Sequence, residues 1–153
     1  MDIYQFHNPA VCPKPGDGSG LYEAMCEAKA QGKIRHIGIT NHRLNVANEA
    51  IESGLYETLQ FPFNYLATDK EHKLVEDCKK QGVPVLATTL SDISVDYKAV
   101  KTDGNFALVM GNEGQGISQE MAESADQLVH ISMPGQAESL NVAVAAGILM
   151  FSL

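Results

Sequence analysis

The sequence predicts an α/β chain in which a mostly parallel sheet is covered by helices. Three observations carry that expectation. Short apolar strand-like runs alternate with amphipathic helical runs along most of the chain. Glycines punctuate the helix ends. The run at residues 83–89, VPVLATT, is apolar without alternation, as in strands buried on both faces.

The elements follow in order. Residues 2–7 (DIYQFH) form a short strand, and NPAVCPKPGDGSG is a loop that its prolines and glycines keep out of helix. Residues 21–30 (LYEAMCEAKA) are strong helix formers with Leu21, Met25 and Ala28 on one face and Gly32 beyond the end. A second strand spans 34–40. A helix follows over 44–53, with Leu44, Ala47 and Ile51 on one face and Gly54 as its stop. Residues 58–63 give a third strand, 71–81 a charged helix stopped by Gly82, and 83–89 a fourth strand. This βα alternation is the signature of parallel pairing through right-handed crossovers. Residues 91–105 are polar and read as irregular. The rest gives a strand at 106–110, a Ser118-capped helix over 119–124, a strand at 128–132 and a final apolar helix over 140–153. The architecture implied is a three-layer α/β/α arrangement, Rossmann- or flavodoxin-like, in a single domain over 1–153.

Composition narrows the function classes. At 153 residues, 44% hydrophobic and 20% charged, the chain suits one soluble domain with an ordinary core. No apolar run is long enough for a bilayer and no leader segment is evident, so a cytoplasmic setting is expected. Cys12, Cys26 and Cys78 share no metal-ligand spacing and read as free thiols; no metal is expected. The net charge of −8 is uneven. Residues 1–87 hold nine Lys/Arg against eleven Asp/Glu, and residues 88–153 hold two against eight. The acidic C-terminal part has no clustered cations for phosphate, which argues against RNA as a partner. The final helix is apolar nearly all round, as in a buried helix or a homodimer surface.

Two sets of motifs carry resemblances. The stretches DIYQFHNP, LYEAMCEAKAQGKIRHIGITNH, ETLQFPFN and CKKQGVPVLA, from residue 2 to about 87, resemble the middle of an aldo-keto reductase (β/α)8 barrel. That resemblance implies a substrate-orienting role for His7 and a nicotinamide subsite at Thr40, Asn41 and Gln60. Amide-recognising Asn and Gln at strand ends suit such a subsite chemically. The catalytic tyrosine, lysine and aspartate of that family, and its phosphate-clamping loops, have no counterpart here. His7, Asn41 and Gln60 are therefore expected as relics, and NADPH is not expected to bind.

The stretches GVPVLATTLSD, ALVMGNEGQGIS and HISMPGQAESLNVAVAAGILMF, from about residue 82 onward, resemble the C-terminal half of SpoU (TrmH-like) RNA 2′-O-methyltransferases of the SPOUT class. Taken alone, Gly-Asn-Glu-Gly-Gln-Gly fits any tight loop. With the MPG and ESLN segments at the family's spacing it becomes specific. The resemblance implies a C-terminal trefoil knot and an S-adenosylmethionine crevice. Gly111, Ile131 and Leu140 would line the adenine pocket, and Asn112, Glu113, Ser139 and Asn141 would lie near the methyl-transfer centre. Thr88 and Thr89 would face the same crevice. Glycines at 111, 114 and 116 permit the close backbone approach such a pocket needs. The catalytic arginine of the family's first motif has no match in residues 1–87. Together the two resemblances imply a hybrid of 1–87 and 88–153, joined within about 78–90. Such a hybrid is expected to be an engineered scaffold with no intact catalytic activity that could retain S-adenosylmethionine. The alternative is an S-adenosylmethionine-dependent RNA 2′-O-methyltransferase with an unusual N-terminal part.

Overall fold

The computed structural model describes residues 1–63, 69–102, 104–112, 114–133 and 140–153, the side chains of Asp69 and Glu71 excepted. The chain forms two compact units, Met1–Pro62 and Phe63–Leu153. Each has its own parallel sheet, so the single continuous sheet expected from the sequence is replaced by two. The physical reason lies in the pairing. Among the described residues, the first three strands pair with one another and the last four with one another, and local periodicity does not record which strands are neighbours.

The first unit runs β1 (Ile3–His7), α1 (Leu21–Ala30), β2 (His36–Thr40), α2 (Leu44–Ser53) and β3 (Thr58–Gln60), with sheet order β1-β2-β3. Strand β2 sits between its neighbours, with Gln5 opposite Gly38 and Gly38 opposite Thr58. Its alternation sorts the two faces. Ile37 packs with Tyr22 and Met25 of α1, and Ile39 with Val46 and Ala50 of α2. Gly38 points the other way, beneath a hydrogen bond from Gln5 Nε2 to Thr58 Oγ1 at 3.2 Å. A Cβ at Gly38 would lie 2.0 Å from that Thr58 oxygen, so no larger residue fits. Phe6, Tyr22 and Tyr56 meet edge to face above the core. Buried aliphatics such as Ile39 and Val46 each contribute about 1.5–3 kcal/mol by leaving water.

The second unit runs α3 (Asp69–Lys80), β4 (Val85–Thr88), β5 (Val95–Asp96), a 3-10 turn (Tyr97–Ala99), β6 (Ala107–Val109), α4 (Gln119–Ser124), β7 (Gln127–His130) and α5 (Val142–Ser152). Its sheet order is β5-β7-β4-β6, all parallel. Central β4 buries Val85, Leu86 and Ala87 in succession, as a strand covered on both faces must. Val75 of α3, Val85 and Met121 of α4 form one core cluster. Ser118 caps α4 by accepting from the Met121 N–H, as its position before an apolar run implies. The expected irregular stretch 91–105 in fact holds β5 and the 3-10 turn. A two-residue strand has no periodicity to read, and β5 exists through pairing with β7. The knot expected near the C-terminus depends on the segment entering α5, and residues 134–139 lie outside the described residues.

Asp126 ties the amino edge of this sheet. Its backbone N–H donates to Val85 O at 2.8 Å, and its Oδ2 accepts from Val85 N–H at 2.7 Å. Lys79 Nζ lies 3.1 Å from its other carboxylate oxygen. Burial raises the carboxyl pKa, but the Val85 N–H and Lys79 outweigh it and hold it below the ordinary 3.8. A depressed carboxyl contributes stability that is present above its unfolded pKa and lost as pH falls through the folded one. Asp126→Asn should therefore lower the unfolding free energy by about 1 kcal/mol near neutral pH, and by much less in acid where the wild-type carboxyl is protonated. Urea denaturation of both chains at the two pH values checks this.

Candidate functional site

Strand β4 is flanked by β7 on one side and β6 on the other. These strands are parallel, so the connections leaving β4, β6 and β7 emerge at one carboxyl edge, and the chain order switches there: from β4 it passes to β5 at one end of the sheet and then to β6 at the other. Open parallel sheets place ligands at such a switch in strand order. The edge holds Thr88 at the end of β4, Gly111 two residues beyond β6 and Ile131 directly after β7.

The loop after β6 is closed on itself. Asn112 and Gly116 exchange backbone hydrogen bonds at 2.9 and 2.8 Å. Asn112 Oδ1 accepts from the N–H groups of Gly114 and Gln115 at 2.9 and 3.3 Å. Thr88 Oγ1 accepts from Gly111 N–H at 2.8 Å, fastening the loop to β4. A Cβ at Gly111 would meet backbone Cα and C of Gly116 at 3.1 Å and Thr88 O at 3.3 Å. The glycine thus suits the close approach of the loop to itself and to β4. Asn112 is exposed, and its side chain braces the loop.

Ile131 and Leu140 are both half-buried. Asn141 is the N-cap of α5, its Oδ1 accepting from Ala143 N–H at 3.0 Å. The helix expected over 140–153 therefore starts two residues later, at Val142. Thr89 N–H donates to Val129 O at 3.1 Å, continuing β4 toward β7. Glu113 and Ser139 lie outside the described residues. Among the described residues no cluster of His, Cys, Asp or Glu could hold a metal ion.

Four residues at this edge escaped the sequence reading. His130, the last residue of β7, has Ser94 Oγ at 2.9 Å from Nδ1 and Ser132 Oγ at 3.3 Å from Nε2. Ser132 N–H donates to Asp96 Oδ2 at 3.3 Å, and Lys98 N–H to Asp96 Oδ1 at 2.9 Å. The Ser132 hydroxyl and then the Lys98 N–H hold the Asp96 carboxyl below its ordinary range. Residues 94, 96, 130 and 132 form no spaced motif; only the pairing of β5 with β7 assembles them.

The other expected site residues lie in the first unit. His7, Thr40 and Gln60 stand in one row across the carboxyl ends of β1, β2 and β3, opposite one another in register. A cavity of about 140 Å³ is lined by Thr40, Asn41, His42, Gln60, Phe61 and Pro62. Asn41, however, is fully buried and committed to the backbone. Its Nδ2 donates to Pro9 O, and its Oδ1 accepts from Arg43 N–H, both at 2.8 Å. It acts as a clamp between β2 and the loop after β1, with no side-chain donor turned to a ligand. His7 and Gln60 are exposed.

Comparison with known proteins bears on both units. The family model described as the SpoU rRNA Methylase family matches residues 25–151. A 23S rRNA (guanosine-2′-O-)-methyltransferase from Burkholderia sp is 30% identical over 145 residues, 95% of this chain and 53% of that protein. A tRNA (guanosine(18)-2′-O)-methyltransferase from Aquifex aeolicus (strain VF5) is 39% identical over 104 residues, 68% of this chain and 47% of that protein. Among solved structures, the A. aeolicus TrmH/SpoU tRNA modifying enzyme is 29% identical with a TM-score of 0.51, covering 99% of this chain and 73% of that one. The AdoMet-bound rRNA methyltransferase from Sinorhizobium meliloti is 25% identical with a TM-score of 0.52, covering 99% and 54%. The chain spans about half the length of the curated relatives named here.

These matches overturn the expectation of an engineered, inactive hybrid of a reductase fragment and a methyltransferase fragment. The family match covers both sides of the stretch 78–90 where a junction was expected, and one relative aligns over nearly the whole chain. The error has a physical origin. Helices ending in Lys-x-Gly and followed by buried strands are what any parallel α/β sheet demands, so they recur on unrelated chains.

The loop's dependence on Gly111 is open to mutation. Gly111→Ala should lower stability by about 1–3 kcal/mol through overpacking. Gly114→Ala, where a Cβ would meet only Asn112 Oδ1 at 3.5 Å, should be close to neutral. Chemical denaturation of the two variants distinguishes these outcomes.

Proposed function

The chain belongs to the SpoU rRNA methylase family, and from that membership we propose that it binds S-adenosylmethionine and directs its methyl group to a ribose 2′-oxygen of RNA. The observation that carries this reading is the carboxyl edge of the second sheet. There a switch in strand order, a glycine loop fastened to β4 and two half-buried apolar residues occur together. The AdoMet-bound relative from S. meliloti supports the choice of cofactor.

The residues present suit such a cofactor. Ile131 and Leu140 are apolar covers for an adenine, whose edge is read by backbone groups of the same segments. The excess of acids in residues 88–153 is compatible with a cationic sulfonium. When bound, S-adenosylmethionine supplies an electrophilic methyl group. The chain's own part is orientation. Thr88 fixes the Gly111 loop, Asn112 keeps that loop closed, and Asn141 fixes the start of α5. A C-terminal knot belongs to the same proposal.

RNA is the proposed substrate despite the acidic C-terminal part, because nine of the eleven Lys/Arg fall in residues 1–87. Of the two arginines, Arg35 pairs with Asp2 at 2.9 Å. Among the described residues, Arg43 meets two neutral oxygens, Asn8 Oδ1 and Pro9 O, each at 3.4 Å. We further propose a homodimer through α5, which exposes Val144, Met150 and Phe151 and carries no charge. Phe151→Glu should shift the chain to monomer in sedimentation velocity if this helix is the interface.

The activity is tested with methyl-labelled S-adenosylmethionine and RNA, followed by digestion to nucleosides. The expected result is label in 2′-O-methyl nucleosides. A chain that binds the cofactor yet transfers no label to any cellular RNA fraction contradicts the proposed activity.

A further inference from the structure

The His130 cluster is not used by the function argued above. Its imidazole bridges two hydroxyls, with Ser94 Oγ 2.9 Å from Nδ1 and Ser132 Oγ 3.3 Å from Nε2. Ser94 Oγ also lies 2.8 Å from Ser91 O and accepts from Ser91 N–H at 3.2 Å. Ser132 is tied in turn to Asp96, its N–H donating to Oδ2 at 3.3 Å.

The cluster joins two stretches that border the candidate crevice. Residues 91–94 belong to the connection that leaves β4 just after Thr88, and His130 and Ser132 flank Ile131 at the exit of β7. Ser94 and Asp96 hold both neighbours of Ile131, one through the imidazole and one through the Ser132 N–H. Ile131 is thus presented from between two anchored residues. A backbone that reads a ligand must be held close to its bound geometry, or binding carries the cost of ordering it.

We propose that His130 is a positioning residue for S-adenosylmethionine: bridging Ser94 and Ser132, it ties the connection after β4 to the exit of β7 and fixes the segment bearing Ile131 against the adenosyl group. The assignment rests on the cofactor reading above. No contact between His130 and the cofactor is required.

The test uses the full chain, with calorimetric titration of S-adenosylmethionine. His130→Phe should weaken cofactor binding about tenfold while circular dichroism still shows a folded chain. His130→Asn keeps a polar side chain that can reach one of the two hydroxyls and should recover most of the affinity. Ser94→Ala removes the partner of Nδ1 and should weaken binding; it also keeps the test open if His130→Phe fails to fold. Two results would overturn the proposal: unchanged affinity in a folded His130→Phe or Ser94→Ala, or no recovery in His130→Asn. A wild-type chain that does not bind the cofactor removes the cofactor reading itself. Binding by the wild type with unaffected variants removes only the positioning role.

Discussion

The hydrogen bond from Gly111 N–H to Thr88 Oγ1 is the contact on which the candidate site depends. It fastens the loop after β6 to the end of β4, the strand around which the second sheet is arranged. A Cβ at residue 111 would press on Gly116 at 3.1 Å and on Thr88 O at 3.3 Å, closer than ordinary contact. The same loop returns Gly116 to within van der Waals range of Gly111. A loop so held gives up little further freedom when a ligand arrives, which is how a rigid scaffold raises affinity without adding contacts. Around it the tethers are short and polar: Asn112 closes the loop, Asn141 starts α5, and the Ser94–His130–Ser132–Asp96 cluster binds the edge strand to β7.

Much of this was legible in the residues, and the parts that were not have identifiable reasons. Local periodicity and capping chemistry act within a few residues, so α1, α2, α4 and the strands β1, β4 and β6 fall close to where the sequence puts them. Ser118 is a cap because a hydroxyl before an apolar run reaches the N–H three residues on. Strand neighbours are set by long-range pairing, which leaves no local mark. That is why two sheets replace the one expected, and why β5 was read as irregular. The backbone bonds of Asn41, Asn112 and Asn141 were not legible for a related reason. An Asn that suits a ligand's amide suits a backbone N–H equally well, and in each of these three cases the backbone takes it.

The two units also differ in what they offer. The first presents a polar row, His7, Thr40 and Gln60, beside a small cavity, but its buried amide is already satisfied by backbone. The second presents a crevice edge built from backbone and apolar side chains in an acidic stretch of chain. These are the properties that suit an uncharged base and a cationic sulfur more than a phosphate.

The most direct measurement of the central claim is an amide NMR titration of the full chain with S-adenosylmethionine. The account predicts that the largest shifts fall on Gly111, Asn112 and Ile131, with Thr40, Asn41 and Gln60 unmoved. Shifts confined to Thr40, Asn41 and Gln60, or no shifts at saturating cofactor, would contradict it.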